Sequence, residues 1–287
     1  MHEQVVFITG AARGIGATVA RRLAARGMRV ALTGREPKLL EQLARELGAP
    51  HVWHACDVTR QEELARAVDA VVRELGGIDV VVANAGIASH GTLAVTPVEA
   101  LARVVDVNLT GVIRTVHATL RHVIARRGYF LLVSSAAAFA PQPGMAAYAA
   151  SKAGVEQFGN VLRLEMLRHG VAVGVAHPSW IDTDLVRDAQ QEMPAFRETL
   201  RKLPGPFGKV TSLDACAAAL VEAVVQRRRK VYVPRSLAPF AAMRHLFMSR
   251  LGDRTIDADA QRRLAALERE VESLGRPFGE HSAESRD

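Results

Sequence analysis

The chain of 287 residues has few cysteines, few aromatic residues and no long apolar run. Cys56 and Cys216 are its two cysteines, so a disulfide framework is not expected and a reducing compartment fits. No apolar run reaches the length of a membrane-spanning helix, and no Cys/His cluster has the spacing of metal ligands. The first apolar strand begins almost at Met1, so we expect no signal peptide and a cytoplasmic location.

Positive charge exceeds negative charge, with a formal net charge of +7. Such an excess can indicate binding to nucleic acid or to anionic lipid. No helix-turn-helix, zinc-finger or aromatic RNA-binding signature accompanies it, so a nucleic acid is not expected as a partner. The densest basic run, 227–230, precedes a predicted strand and is interpreted as a solvated turn.

Short apolar runs alternate with helix-like stretches along most of the chain. This alternation predicts an α/β fold with a doubly wound parallel sheet of about seven strands and helices on both faces. The predicted strands lie at 5–9, 29–33, 51–55, 79–83, 129–134, 171–176 and 230–233, and the predicted helices near 15–26, 37–47, 61–75, 97–125, 148–169 and 212–226.

A glycine-rich turn joins the first predicted strand to the first predicted helix. Gly10 allows a tight turn, while Gly14 and Gly16 allow a cofactor to approach the backbone closely, with a pyrophosphate at the helix N-terminus. The order of strand, glycine turn and helix is typical of a dinucleotide-binding site. The spacing is G-x-x-x-G-x-G, and an ordinary tight turn is the alternative if the glycines are considered alone.

The second predicted strand ends without the carboxylate that an NAD site usually has at this point. Gly34 and Arg35 follow the strand, and Arg13 lies inside the glycine turn. Two arginines suit a 2′-phosphate, so NADP(H) is predicted in preference to NAD(H). The alternative is that both arginines are solvated side chains of a basic chain.

Tyr148 and Lys152 are four residues apart on a predicted helix, and Ser135 precedes the tyrosine by thirteen residues. Helical residues four apart share a face, so the phenol and the ammonium group are expected in one site. A nearby positive charge lowers the pKa of a phenol from its free value of ~10, and a serine hydroxyl can hold a substrate oxygen. The three side chains indicate proton transfer at an oxygen bound to carbon. A surface pair is the alternative for the Tyr–Lys spacing alone.

Over residues 4–235 these motifs resemble those of the short-chain dehydrogenase/reductase family in its single-domain form. The resemblance implies a Rossmann-type fold and a catalytic tetrad of Asn108, Ser135, Tyr148 and Lys152. Tyr148 would be the general acid or base, and Lys152 would lower its pKa and bind the nicotinamide ribose. Ser135 would orient the substrate oxygen, and Asn108 would hold a water that extends a proton relay. With the glycine turn and the two arginines, the expected cofactor-binding residues are Thr9, Gly10, Arg13, Gly14, Ile15, Gly16, Arg35, Asp57, Val58, Asn84, Ala85, Gly86, Tyr148, Lys152, Pro178, Ile181 and Thr183.

The segment after the sixth predicted strand departs from the family pattern. Ser179 replaces the usual glycine after Pro178, and serine tolerates positive φ poorly, so a different local backbone is expected there. Trp180 either forms a wall of the substrate site or packs beneath the loop. Ile181 and Thr183 keep the family pattern.

Residues 184–210 interrupt the alternation of strands and helices, where the family has its substrate loop. Apolar residues in this segment suggest a lid over an apolar substrate, although packing on the core is the alternative, and 204–206 is a predicted hinge. The candidate substrate residues are Phe139, Met145, Trp180 and Phe196.

Residues 236–287 are predicted to form a helical extension of a catalytic domain at 1–235. The segment 239–251 has Phe240, Met243, Phe247 and Leu251 at helical spacing. Such a helix could lie on a membrane, cap the active site or join a subunit interface. A second helix is predicted at 258–274.

Together these features predict an NADP(H)-dependent oxidoreductase that interconverts a carbonyl and a secondary alcohol on an apolar substrate of steroid, retinoid or fatty-acyl type. One alternative is a dinucleotide-binding regulatory protein without turnover, which the presence of both Tyr148 and Lys152 disfavours. Another is a lipid oxidoreductase at a membrane surface.

The long helices near 97–125 and 148–169 match those that form dimers and tetramers in the family, so a homodimer or homotetramer is expected.

Overall fold

The structure is a computed structural model that describes residues 3–203, 205–250 and 258–277. Seven strands form one parallel sheet in the order β3-β2-β1-β4-β5-β6-β7, which confirms the predicted Rossmann-like fold. The strands are β1 (Val5–Thr9), β2 (Arg29–Gly34), β3 (Val52–Ala55), β4 (Val80–Ala83), β5 (Tyr129–Val133), β6 (Ala172–Pro178) and β7 (Lys230–Val233).

Helices cover both faces of the sheet, and the apolar side chains of each strand alternate between them. Val6 and Ile8 of β1 pack in one core cluster with Leu23. Val5 and Phe7 pack on the opposite face in a second cluster. Burial on both faces explains why the central strands are continuous apolar runs rather than alternating ones.

The helices in the described residues follow the predicted order, but the predicted helix 97–125 is divided. A π-helical turn at Asp106–Thr110 separates α4 from α5 within the predicted helix 97–125. Such turns are frequent at functional sites, and this one carries Asn108. The helices are α1 (Gly14–Ala24), α2 (Pro37–Leu47), α3 (Gln61–Leu75), α4 (Val98–Val105), α5 (Gly111–Ala125), α6 (Ala146–Glu165), α7 (Asp184–Glu192), α8 (Pro194–Lys202), α9 (Leu213–Gln226), α10 (Ala238–Ala242), α11 (Arg244–Phe247) and α12 (Ala258–Leu274).

None of these helices is both long enough and apolar enough to span a bilayer, within the part of the chain that the structure describes.

The segment 184–210 contains α7, α8 and a 3₁₀ turn at Gly205–Gly208. Met193, Phe196 and Leu200 are buried in it. Pro204, part of the predicted hinge, lies outside the described residues.

The segment 239–251, predicted as one helix, contains two short helices in its described part, α10 and α11, with a break at Met243. Arg244, directly after the break, donates hydrogen bonds of 3.0 and 2.8 Å to the two carboxylate oxygens of buried Glu156. This contact joins the segment to α6. Leu251 lies outside the described residues, and membrane contact through 239–251 stays a prediction.

Both cysteines are buried thiols. Burial raises the pKa of Cys56 and that of Cys216 to about 12. At neutral pH both side chains are therefore protonated and poorly reactive.

Candidate active site

A cavity of about 1040 Å³ lies at the carboxyl edge of the sheet, where ligands of doubly wound folds bind. Most residues predicted from the sequence to form the site meet in its walls. These are Gly10, Arg13, Gly14, Ile15, Arg35, Asp57, Val58, Asn84, Ala85, Gly86, Ser135, Met145, Tyr148, Lys152, Pro178, Trp180, Ile181, Thr183 and Phe196. Four predicted residues, Thr9, Gly16, Asn108 and Phe139, do not line it.

Thr9 and Gly16 support the glycine turn from behind the cavity wall. The Thr9 hydroxyl oxygen accepts hydrogen bonds from the backbone N–H groups of Asn84 (3.1 Å) and Ala85 (3.2 Å). The Asn84 amide donates to the carbonyl of Gly10 at 3.1 Å. A Cβ atom at Gly16 would lie 2.1 Å from the Gly10 carbonyl oxygen, so no larger residue fits there. The turn after β1 and the turn after β4 are therefore tied together.

The basic end of the cavity contains a carboxylate that the sequence reasoning overlooked. Arg13 forms an ion pair with Glu36, the residue directly after Arg35. The Nε atom of Arg13 is nevertheless buried without a hydrogen-bond partner in the described structure. Arg35 is exposed at the rim of the same cavity. The region thus has two guanidinium groups, one of which is only partly satisfied by protein.

Tyr148 and Lys152 share one face of α6, with the Lys152 Nζ atom 5.7 Å from the centroid of the tyrosine ring. Lys152 donates a hydrogen bond of 3.0 Å to the Val133 carbonyl, and burial lowers its pKa to about 8. Burial also raises the pKa of Tyr148, and a hydrogen bond with Ser135 opposes this rise only in part. The expected lowering of the Tyr148 pKa is therefore not found, because removal from water outweighs the effect of neighbouring groups.

Ser135 follows β5 and caps a 3₁₀ turn at Ala136–Ala138. Its hydroxyl oxygen accepts a hydrogen bond from Ala137 N at 3.2 Å, and its proton points to the Pro178 carbonyl at 3.3 Å. A hydroxyl has one proton to donate. Ser135 therefore leaves the Pro178 carbonyl whenever it donates to a substrate oxygen or to the Tyr148 phenolate.

Asn108 is fully buried behind the cavity wall. Its Oδ1 atom accepts from Ile87 N at 2.8 Å, and its Nδ2 atom donates to Ile87 O (2.9 Å) and to Ser151 Oγ (3.1 Å). A Cβ atom at Gly86 would lie 3.1 Å from Asn108 Oδ1 and 3.3 Å from Lys152 Nζ, so Gly86 leaves the space between them open. The predicted role of Asn108 in a proton relay stays a prediction.

Trp180 combines both interpretations considered from the sequence. It lines the cavity, and its ring also packs edge-on against Phe196 with centroids 5.3 Å apart. Met145 and Phe196 are buried and line the cavity as expected.

The structure places Phe139 away from the cavity, contrary to its prediction as a substrate residue. It is fully buried, with its ring 5.8 Å from His177 and 6.1 Å from Tyr232. Phe139 packs in an apolar cluster with Leu237 and Ala241, so closeness in sequence to Ser135 does not bring it into the site.

Ser179 avoids the positive φ that serine tolerates poorly, so it causes no strain of that kind. It is not among the non-glycine residues with positive φ in the described chain. Its N–H donates to Val233 O at 2.8 Å and continues the pairing of β6 with β7.

Sequence reasoning missed His90 and the C-terminal helix as parts of the site. His90 lines the cavity with its ring 4.4 Å from Phe196, and burial lowers its pKa to about 4, so it is neutral at neutral pH. Leu264 and Leu267 of α12 also line the cavity. The apolar spacing in 258–274 indicates a helix from the sequence alone. It does not indicate that this helix packs against the cavity.

Comparison with known proteins agrees with this geometry. Residues 4–194 match a sequence model of the family described as short chain dehydrogenase. The 11-beta-hydroxysteroid dehydrogenase 1A of Arabidopsis thaliana is 32% identical over 244 residues, covering 82% of this chain and 69% of that protein. The 3-oxoacyl-(acyl-carrier-protein) reductase of Bos taurus is 30% identical over 222 residues, covering 77% of this chain and 92% of that protein.

A solved structure of an actinorhodin polyketide ketoreductase variant with NADPH is similar in fold, with a TM-score of 0.73 and 29% identity. The match covers 80% of this chain and 95% of that one. Fold, site and sequence therefore agree that this chain is an oxidoreductase of the short-chain dehydrogenase/reductase family.

Proposed function

We propose that the chain is an NADP(H)-dependent oxidoreductase that interconverts a ketone and a secondary alcohol on a bulky apolar substrate. Steroid, retinoid and fatty-acyl derivatives are the classes considered. The proposal depends chiefly on one observation, that Ser135, Tyr148 and Lys152 face the same cavity as the glycine turn. Relatives named as a hydroxysteroid dehydrogenase and a 3-oxoacyl reductase support the choice of reaction.

A nicotinamide dinucleotide fits the residues of the site. Gly10 has φ +64°, which forms the tight turn, and the buried Nε atom of Arg13 has a hydrogen bond to offer. Arg13 and Arg35 would hold the 2′-phosphate, and Lys152 would hold the nicotinamide ribose. When bound, the cofactor supplies or accepts the hydride at the substrate carbon.

The chain itself supplies the proton and the position of the substrate oxygen. In reduction, Ser135 donates a hydrogen bond to the carbonyl oxygen, and the Tyr148 hydroxyl transfers its proton to the oxygen as negative charge develops there. The raised pKa of Tyr148 keeps the phenol protonated at neutral pH, as an acid requires. The positive charge of Lys152 stabilises the phenolate that remains. Asn108 would complete the route that returns a proton to Tyr148.

The walls of the cavity support an apolar substrate. Met145, Trp180 and Phe196 line it, and His90 among them is uncharged at neutral pH. Pockets with aromatic walls and a few convergent polar groups are typical of small apolar ligands.

The direct test is NADPH oxidation, followed by absorbance, against ketones and aldehydes from small to steroid-sized. Turnover of bulky apolar carbonyls, with NADH a poorer cofactor, would support the proposal. Tight NADPH binding without turnover of any member would favour the regulatory alternative.

Replacing Arg35 by Ser is expected to raise the KM for NADPH by about tenfold or more, because a charge-assisted hydrogen bond to phosphate is lost. The KM for NADH is expected to stay within about twofold, since NADH has no 2′-phosphate. Arg45→Ser is the matched control, because Arg45 is exposed on α2 and pairs with Glu41 outside the cavity. Equal changes for both cofactors would contradict the assignment of NADP(H).

A homodimer or homotetramer is also proposed. Val161 and Leu164 of α6 and Leu167 beyond it are 45%, 56% and 63% exposed, and Ile113 of α5 is 39% exposed. Large apolar side chains exposed on the helices that are expected to form the interface are consistent with a subunit contact. Light scattering of the purified protein measures the mass, and a monomer would contradict the proposal.

A further inference from the structure

The outer end of the cavity is formed by a helix that lies beyond the family match at 4–194. Ala260, Arg263, Leu264 and Leu267 of α12 line the same cavity as Tyr148. Leu267 is 8% exposed, and it packs in one apolar cluster with Phe196 and Trp180. A part of the chain outside the family match therefore forms this wall of the cavity.

Polar contacts fix α12 and the residues after it against the rest of the site, among them an ion pair of 3.1 Å between Arg276 and Glu192 of α7. Glu268 accepts a hydrogen bond of 2.6 Å from the Thr92 hydroxyl. Glu270 accepts one of 3.0 Å from Ala195 N, in the first turn of α8. Beyond the helix, the Pro277 carbonyl accepts one of 2.7 Å from His90 N. The partners come from the loop after β4 and from the substrate segment, so α12 is docked on the parts that surround the substrate.

Two glycines allow α12 to approach the loops beside the catalytic residues. A Cβ atom at Gly144, just before α6, would lie 2.9 Å from Leu267 Cδ2. A Cβ atom at Gly91, after β4, would lie 3.3 Å from Val271 Cγ2. Both glycines have positive φ, +82° and +144°, which other residues rarely adopt. The glycines in these two loops thus leave the space that α12 needs to pack closely against the site.

We propose that α12, Trp180 and Phe196 form a substrate subsite that binds the polycyclic or long-chain hydrocarbon part of the substrate, with Leu267 setting the size that fits. The proposal rests on the proposed ketone reduction at Tyr148. Two aromatic rings and branched aliphatic side chains form the apolar part of its walls, beside Arg263. An apolar surface of this kind suits hydrocarbon better than a sugar or another polar group. The reacting carbonyl meets Ser135 and Tyr148, and the rest of the substrate extends towards α12.

The kinetic test compares cyclohexanone, 2-decalone and a steroid ketone with NADPH in wild type, Leu267→Phe and Leu267→Ala. Leu267→Phe should lower kcat/KM for the steroid ketone by about tenfold and leave cyclohexanone within about twofold, because the added ring occupies the far end of the subsite. Leu267→Ala should raise the ratio of steroid to cyclohexanone turnover. Leu246→Phe is the matched control, because Leu246 is 48% exposed in α11 and should leave all three rates unchanged.

A binding measurement separates failure of the subsite from failure of the proposed reaction. The chain has two tryptophans, so Trp53→Phe leaves Trp180 as the reporter inside the subsite. In the Trp53→Phe variant, the steroid ketone should change Trp180 fluorescence saturably. When Leu267→Phe is combined with Trp53→Phe, the steroid ketone should bind about tenfold more weakly. Saturable binding without turnover in wild type would reject the reaction and keep the subsite. Equal effects of Leu267→Phe on all three ketones, or no effect on steroid binding, would overturn the subsite.

Discussion

Tyr148→Phe is expected to lower kcat for ketone reduction about a thousandfold while leaving the Kd for NADPH within about twofold. The substitution removes the proton donor and keeps the ring, so the packing of α6 should persist. Ser135 can still hold the substrate oxygen, but no group then neutralises the charge that develops on it. Single-turnover kinetics with bound NADPH measure the chemical step directly.

Tyr129→Phe is the matched control for this substitution. Tyr129 is buried in β5, and its hydroxyl donates to the Arg228 carbonyl at 2.7 Å, away from the cavity. Its loss is expected to lower the free energy of unfolding by about 1 kcal/mol and to leave kcat unchanged. Retention of wild-type kcat in Tyr148→Phe would reject Tyr148 as the proton donor.

Arg244→Met is expected to lower the free energy of unfolding by about 3 kcal/mol near neutral pH, measured by urea denaturation. The side chain of Glu156 is 4% exposed, and Arg244 supplies its two short hydrogen bonds. His177 and Lys230 lie farther from the carboxylate, at 3.5 and 3.9 Å. Removal of Arg244 therefore leaves a buried charge with weaker compensation.

The loss of stability caused by Arg244→Met should become smaller at acidic pH. Burial alone would raise the pKa of Glu156, but the interactions with His177 and Arg244 outweigh it and lower the pKa to about 2. An unfolded glutamate titrates near ~4.3, so this carboxylate stabilises the fold above that pH and loses its contribution as the pH falls towards 2. The difference between wild type and Arg244→Met should therefore decrease over the same interval.

Arg187→Met is the control for this second prediction, since Arg187 forms exposed ion pairs with Asp182 and Asp184. Exposed pairs contribute little to stability, so its urea midpoint should match that of wild type. A similar small change in both variants would mean that the pair of Arg244 and Glu156 is not a stabilising contact.

The sheet and the meeting of Ser135, Tyr148 and Lys152 in one cavity could be predicted because their signals are local. β1 and β5 are continuous apolar runs bounded by turn residues, and burial on both faces requires that pattern. Tyr148 and Lys152 are four apart on one helix, so their common face follows from helix geometry alone. The carboxyl ends of parallel strands then bring the glycine turn and Ser135 to one edge.

The remaining features depend on contacts between distant parts of the chain. Arg244 and Glu156 are 88 residues apart, and no local pattern predicts their pairing. The pKa of Tyr148 depends on how deeply the finished fold buries the phenol. Phe139 packs against His177 and Tyr232, which are distant from it in the sequence. In each case the outcome depends on which side chains the tertiary structure buries together, and residue spacing in the sequence does not predict this.

The buried thiols of Cys56 and Cys216 make site-specific labelling straightforward. With pKa values of about 12, neither should react with a maleimide in the folded protein at neutral pH. A cysteine introduced at Arg269, which is exposed on α12, would then take a fluorophore or spin label selectively without removal of the native cysteines. Such a label would report whether the surroundings of α12 change when a substrate binds.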